Sequence, residues 1–251
     1  MTIRHAIILS AGQGSRLLPL TKDRPKCLID FAGRSLLQWQ VRALAANGIT
    51  DISVVTGFRT EMVEAEFERL EGVTARAIFN PFYHVADNLG SCWIAREAMA
   101  DDFIILNGDT LVSPEIVGRL VTRAKAPITV TIDVKPEFDA DDMKVERQGD
   151  RLVAIGKALP AEQANAESIG MLAFQGSGGA RFRAEVEAMM RTSAGVSKWY
   201  LKAIHQIAPE GFVGTVSIEG LEWAEVDFPE DLEFARELTG RWAAEQVSAA
   251  A

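Results

Sequence analysis

The strongest constraint on this chain is an alternation in its first half. Short apolar runs rich in Ile and Val recur between stretches of helical periodicity. "HAIILS" (5–10), "DISVVTG" (51–57), "ARAIFN" (75–80) and "DFIILNGD" (102–109) read as strands buried on both faces, as in a parallel sheet. Between them, residues 35–47, 60–71, 88–100 and 113–125 read as amphipathic helices. In the second, Met62, Val63, Phe67 and Leu70 share one side, with Glu61, Glu64, Glu68 and Arg69 elsewhere. Gly48 and Gly72 sit at C-cap positions, and "SPE" at 113–115 is a serine N-cap followed by proline. Repeated β-α-β units predict a mostly parallel sheet with helices on both faces.

The second half changes character. "PITVTIDV" (127–134), "MKVERQGDRLVAIGK" (143–157) and "ESIGMLAF" (167–174) read as strands, the middle one a hairpin turning at Gly149–Asp150. Helices are expected at about 179–191 and 198–208, and strands at 212–218 and 221–226. A last helix is expected from Pro229 to about Val247, with the tail "AAEQVSAAA" fraying. At 251 residues, with no internal repeat or low-complexity linker, the chain reads as one α/β domain with a small inserted or appended β part.

Composition excludes several classes. A net charge of −9 speaks against a nucleic-acid binder, which needs a broad basic face, yet leaves room for a local cationic pocket. Cys27 and Cys92 lack the spacing of a zinc site or a disulfide framework and read as small buried hydrophobes. No run approaches the roughly 20 apolar residues of a membrane span. The first apolar run is broken by glycine too soon for a secretory leader, so a cytoplasmic protein is expected.

Cations gather at one place in this acidic chain. "LSAGQGSRLLPLTKDRPK" (9–26) sets Gly12 and Gly14 behind the first strand, then Arg16, Lys22, Arg24 and Lys26 around Asp23. A dinucleotide fingerprint fails because Leu17 stands where its third glycine belongs, and a GxxxxGK[ST] loop is absent. A tight turn carrying solvated charges is one reading. The other is an anion site: glycines let backbone N–H groups approach a triphosphate while Arg16 and Lys26 supply charge. Ligands of parallel sheets sit at the C-terminal ends of strands, where this loop lies.

The stretch "LSAGQGSRLLPLTKDRPKCLI" resembles the signature LAAGxGxRLxPLTxxxPKxL of the sugar-phosphate nucleotidyltransferases, with Ser10 where alanine is usual. "NGD" (107–109) and "AEVDFPEDL" (224–232) fall where that family has two metal-binding aspartates. The resemblance implies a Rossmann-like three-layer sandwich and Mg²⁺ held by Asp109 and Asp227. It implies a nucleoside triphosphate bound by Ser10, Ala11, Gly12, Gly14 and Ser15, with Arg16 and Lys26 as the catalytic residues. By the same resemblance the nucleotide-binding part covers about 1–125, the acceptor-binding part about 126–228 and a C-terminal helix about 229–248. By itself, each aspartate also reads as a helix cap or turn residue.

"NPFYHVADNLGSCWIAREAM" (80–99) is similar to the small-alcohol branch of that family, the phosphocholine and 2-aminoethylphosphonate cytidylyltransferases. This implies CTP as donor, with Asn88 and Ser91 meeting the pyrimidine; Asn88 as the N-cap of its helix is the bland reading, compatible with the other. "DDMKV" (141–145), "IGKALP" (155–160) and "ESIGM" (167–171) also resemble that branch. They suggest Lys144 and Lys157 for an acceptor's phosphorus group, and Asp142, Glu167 and Glu225 for an ammonium. Trp199, with Tyr200 and Trp223, offers a cation–π surface or simply core packing. A hexose-1-phosphate uridylyl-, thymidylyl- or guanylyltransferase and a non-catalytic nucleotide-sensing subunit are the competing readings. Oligomeric state is open, a homo-oligomer included.

Overall fold

The computed structural model describes residues 3–250. Its first half supplies strands β1 (His5–Leu9), β2 (Asp30–Phe31), β3 (Arg34–Ser35), β4 (Asp51–Thr56), β5 (Thr74–Phe79), β6 (Phe103–Asn107) and β7 (Thr110–Leu111). The second adds β8 (Ile128–Asp133), β9 (Lys144–Gln148), β10 (Arg151–Ile155), β11 (Ala166–Phe174), β12 (Val213–Ser217) and β13 (Ala224–Glu225). The helices are α1 (Leu36–Ala45), α2 (Thr60–Glu66), α3 (Asn88–Ile94), α4 (Pro114–Arg123), α5 (Gly178–Met190), α6 (Leu201–Ile207) and α7 (Asp231–Ala250).

One nine-stranded sheet in the order β5-β4-β1-β6-β11-β8-β12-β10-β9 carries the fold. β5, β4, β1 and β6 pair in parallel, whereas β11 runs antiparallel between β6 and β8. The second-half strands therefore extend the first-half sheet into one mixed layer. Side chains alternate along its central strands because the strand period is two. Ile7, Phe103, Ile105, Leu172 and Phe174 enter one core with α3, α5 and α6. Ala6, Ile8, Ile104, Leu106 and Ala173 enter the opposite core with α1 and α4. These are the three layers of an α/β sandwich.

Several expectations need correction. β5 is not buried on both faces: it is the edge strand, its side chains alternate in exposure, and Phe79 stands half exposed. The strand expected at 221–226 shrinks to Ala224–Glu225, which pairs with β7 outside the main sheet. There the Trp223 indole N–H is drawn to Asp133 Oδ2 at 3.0 Å. The helices expected over 60–71 and 88–100 end at Glu66 and Ile94, each followed by a tighter single turn. The tail expected to fray continues as helix to Ala250, and Ala251 lies outside the described residues. Both cysteines are buried, and burial pushes the Cys27 thiol up to about 12.

Candidate active site

The site forms where β1 and β6 end side by side, with Leu9 paired to Asn107. The chain leaves β6 through Gly108, whose N–H donates to Leu9 O at 3.0 Å. A Cβ at Gly108 would stand 2.4 Å from both Leu9 O and Ser10 Oγ, so only glycine allows this approach. Asp109 follows, held at the mouth of the two strands.

Asp227 arrives from the far end of the sequence. β7 and β13 form a two-residue antiparallel ladder, and the Val226 N–H then donates to Asp109 O at 2.9 Å. Val226 is buried in a third apolar cluster with Leu17, Leu111 and Leu238. The residues beside Arg16 and Asp227 are thus anchored in the same small core. Asp231, at the start of α7, completes the clamp: its Oδ2 accepts the N–H groups of Asp227 and Phe228 at 2.8 and 2.7 Å. Asp231 escaped the sequence reading, although "DFPED" spaces it four residues from Asp227, as a local cap would be.

The glycine loop is folded on itself. Gly14 has φ +77°, and a Cβ there would meet Lys26 Cβ at 2.9 Å. Thr21 Oγ1 donates to Gly14 O at 2.7 Å, and Gln13 Nε2 to Thr21 O at 3.1 Å. Lys26 then passes beneath the loop, its Nζ 2.8 Å from Asp109 Oδ2 and 3.0 Å from Asp227 Oδ1. Burial works against its charge, but Asp109 and Asp227 outweigh it and hold the ammonium well above its ordinary pKa. Arg16 caps the pair from the open side, bonded to Asp227 Oδ2 and lying 4.9 Å above the Phe228 ring, with 51% of its side chain exposed. Burial raises the Asp227 pKa, yet Lys26 and Arg16 together leave it lowered. Glu225 has no ion pair among the described residues: desolvation, then Asp109 and Asp227, push its carboxyl up to about 8 against the weaker pull of Lys26 and Lys157.

Two cavities meet at this cluster. The larger, about 490 Å³, is walled by Ser10, Gly12, Gly14, Ser15 and Lys26 on one side and by Tyr83, His84 and Asn88 on the other. The smaller, about 160 Å³, is walled by Asp141, Met143, Lys157, Ser168, Trp199 and Glu225. Arg16, Asp109 and Asp227 line both. A more voluminous hollow of about 690 Å³, between α1 and the Phe67–Arg69 turn, touches none of these groups.

The remaining residues named from the sequence scatter. Ala11 is buried, its carbonyl accepting the Phe58 N–H at 2.9 Å. Asn88 does not N-cap α3: Asp87 holds that position, and Asn88 Oδ1 accepts the Tyr200 N–H at 2.8 Å. Ser91 does not line the cavity expected to hold the base; it is buried one turn along α3 and accepts from Asn80 Nδ2 at 3.1 Å. Asp142 and Glu167 do not reach the acceptor cavity either, because both pair with Lys135 Nζ at 2.8 and 2.9 Å. Lys144 is buried and donates to Asp139 O at 2.7 Å. Lys157, Trp199 and Glu225 do line it, with Asp141 in the place expected for Asp142. Lys157 Nζ lies 3.3 Å from Asp141 Oδ1 and 5.1 Å above the Trp199 ring. Tyr200 is core, its OH reaching Asn107 Oδ1 at 3.2 Å.

Residues 5–144 match the Nucleotidyl transferase family, more than half the chain. The chain belongs to that family. This nucleotidyltransferase is 26% identical to the CTP:phosphoglutamine cytidylyltransferase of Campylobacter jejuni, across 91% of its own length and 98% of the relative's. It is 30% identical to the bifunctional IPC transferase and DIPP synthase of Rubrobacter xylanophilus over 95% of its length, and spans about half (52%) of that relative. It shares its fold with the inositol-1-phosphate CTP transferase of T. maritima, with a TM-score of 0.77 at 22% identity and 92% of each chain covered. Among the described residues no helix is long and apolar enough to cross a membrane.

Proposed function

We propose that this enzyme is a cytidylyltransferase that transfers CMP from CTP to a small acceptor bearing a phosphate or phosphonate, releasing pyrophosphate. One observation carries the reading: a triphosphate-sized cavity under the glycine loop and a smaller cavity share Arg16, Asp109 and Asp227 as a common wall. A donor in the first and an acceptor in the second meet at Arg16 and the two carboxylates that Lys26 Nζ holds. The nucleotide-binding part covers about 1–125 and the acceptor-binding part about 126–228. The C. jejuni relative, whose name states CTP and a phosphorylated small molecule, supports this choice over a hexose 1-phosphate.

An acceptor oxyanion is already a nucleophile, so no general base is required. It forms a bond to the α-phosphorus of CTP as the bond to the bridging oxygen breaks and pyrophosphate leaves with the electron pair. Arg16 is placed to bind phosphate oxygens through its fork of donors. Lys26 neutralises negative charge at a fixed point, and preorganised charge of this kind acts on the transition state without reorganising. The glycine loop orients the triphosphate through backbone N–H groups.

Asp109 and Asp227 fit Mg²⁺. Each directs a carboxylate oxygen at one point, now held by the Lys26 ammonium, and Mg²⁺ takes one or two carboxylates beside water and phosphate oxygens. Bound there, the ion would supply charge neutralisation at the phosphates.

At the acceptor end, Glu225 and Asp141 suit an ammonium and Trp199 its apolar or cationic face, which favours acceptors such as 2-aminoethylphosphonate or phosphocholine. The test is a pyrophosphate-release panel of CTP, UTP, dTTP and GTP against these acceptors, phosphoethanolamine and hexose 1-phosphates. CTP with an amino-bearing acceptor should lead; a leading sugar pair would overturn the acceptor assignment.

A further inference from the structure

Behind the acceptor cavity lies another of about 520 Å³, and the two share Met143, Lys157, Trp199 and Leu201 as a partition. Its floor is apolar, with Ile155, Leu159 and Pro160. Its rim is cationic, with Lys198, Lys202 and His205 against the carboxylate of Asp87. Neither Lys198 nor Lys202 has a carboxylate within 4.0 Å among the described residues, in a chain of net charge −9. His205 Nδ1 accepts the Ile155 N–H at 3.3 Å, which keeps the ring proton on Nε2 as a further donor.

A cavity with an apolar floor and a cationic rim thus shares a wall with a site that ends in Asp141 and Glu225. Beyond Arg16 the acceptor cavity presents Asp141 and Glu225 beside Trp199, and the cavity behind that wall presents Lys198 and Lys202. A ligand matching this order carries a phosphorus group, an amine and a second anion. The distal cations are lysine ammoniums, point charges that one small carboxylate can bridge.

We infer that the acceptor is a phosphorylated or phosphonate amino acid whose carboxylate seats beyond Trp199 on Lys198 and Lys202. This rests on the cytidylyltransferase reading and narrows its substrate class. It also sets a discriminating role for Trp199 and Lys157, which form the wall that the acceptor's chain must pass.

The experiment uses pairs that differ by one carboxylate: O-phosphoserine against phosphoethanolamine, and 2-amino-5-phosphonopentanoate against 4-aminobutylphosphonate. Binding is measured by calorimetry and turnover by pyrophosphate release from CTP, in the wild type, the Lys198→Ala/Lys202→Ala double variant and the corresponding double arginine variant. In at least one pair the carboxylated member should bind and turn over at least tenfold better in the wild type. That ratio should fall below threefold in the alanine variant and return in the arginine variant. Equal binding within both pairs in the wild type, or a ratio that survives the alanine double variant, overturns the inference. Should no acceptor release pyrophosphate from CTP, the cytidylyl-transfer reading fails, while the calorimetric ratio still decides the carboxylate seat.

Discussion

The Lys26 ammonium lies 2.8 Å from Asp109 Oδ2 across 83 positions of sequence, and the same nitrogen holds Asp227 at 3.0 Å. One largely shielded cation therefore joins the glycine loop, the end of β6 and the chain leaving β13. Removing it leaves two neighbouring carboxylates, with Glu225 beside them, short of a counter-charge. Lys26→Ala should lower kcat at least tenfold, since one preorganised charge at the transition state is typically worth about 2–4 kcal/mol. Near-normal pyrophosphate release by a folded variant would refute the role.

Gly14→Ala tests whether the loop and Lys26 are geometrically locked. The new Cβ would be strained at φ +77° and would meet Lys26 Cβ at 2.9 Å. A loss of about 1 kcal/mol or more in stability is expected. Gly12→Ala has open space around its Cβ and should stay within about 0.5 kcal/mol of the wild type. Urea unfolding of both variants checks the contrast; equal losses would show that the lock is not there.

For the metal, Mg²⁺ should raise the melting temperature of the wild type, and chelation should abolish pyrophosphate release until Mg²⁺ is restored. The Asp109→Asn/Asp227→Asn double variant should lose the Mg²⁺-induced shift. A shift that persists in it would place the ion elsewhere.

Asp231 touches neither cavity, yet it holds the Asp227 and Phe228 N–H groups. Asp231→Ala should lower kcat severalfold and weaken Mg²⁺ affinity, because Asp227 loses its backbone tether. Asp231→Asn, which keeps an acceptor oxygen, should recover most of both. If both variants retain wild-type Mg²⁺ affinity, Asp231 is only a helix cap.

Stability should depend on Glu167. Burial, reinforced by Asp142 and opposed by Lys135, pushes its carboxyl up to about 7. A raised carboxyl pKa means that the folded state holds a proton the unfolded chain has already released. Its contribution is full below the unfolded value near 4.5 and is lost as pH rises through 7. The stability of wild type minus Glu167→Gln should therefore fall by about 1–3 kcal/mol between pH 5 and pH 8. A difference independent of pH would show that the carboxyl titrates normally.

The sandwich was legible in the chain because its signals are local. "HAIIL" and "FIILN" alternate between two cores that bury both faces of the sheet, so an unbroken apolar run already says central strand. The loop was legible through the resemblance of its signature, since its glycine and cation spacing alone also suits a solvated turn. What only the tertiary structure decided lies where partners are far apart in sequence and no periodicity links them. Asp141 and Asp142 are neighbours in an irregular segment, yet Lys135 and Glu167 draw Asp142 into a separate knot, and Asp141 turns to Lys157 and the cavity. Likewise, Lys144 looks like a free strand lysine but is buried against Asp139 O. Ser91 shows no local sign that Asn80 will claim its hydroxyl. Local pattern determines which strands and turns form, because those forces act over a few residues. The pairing of buried charges is settled only when the sheet brings distant segments together, and that pairing selects which carboxylates line the cavity.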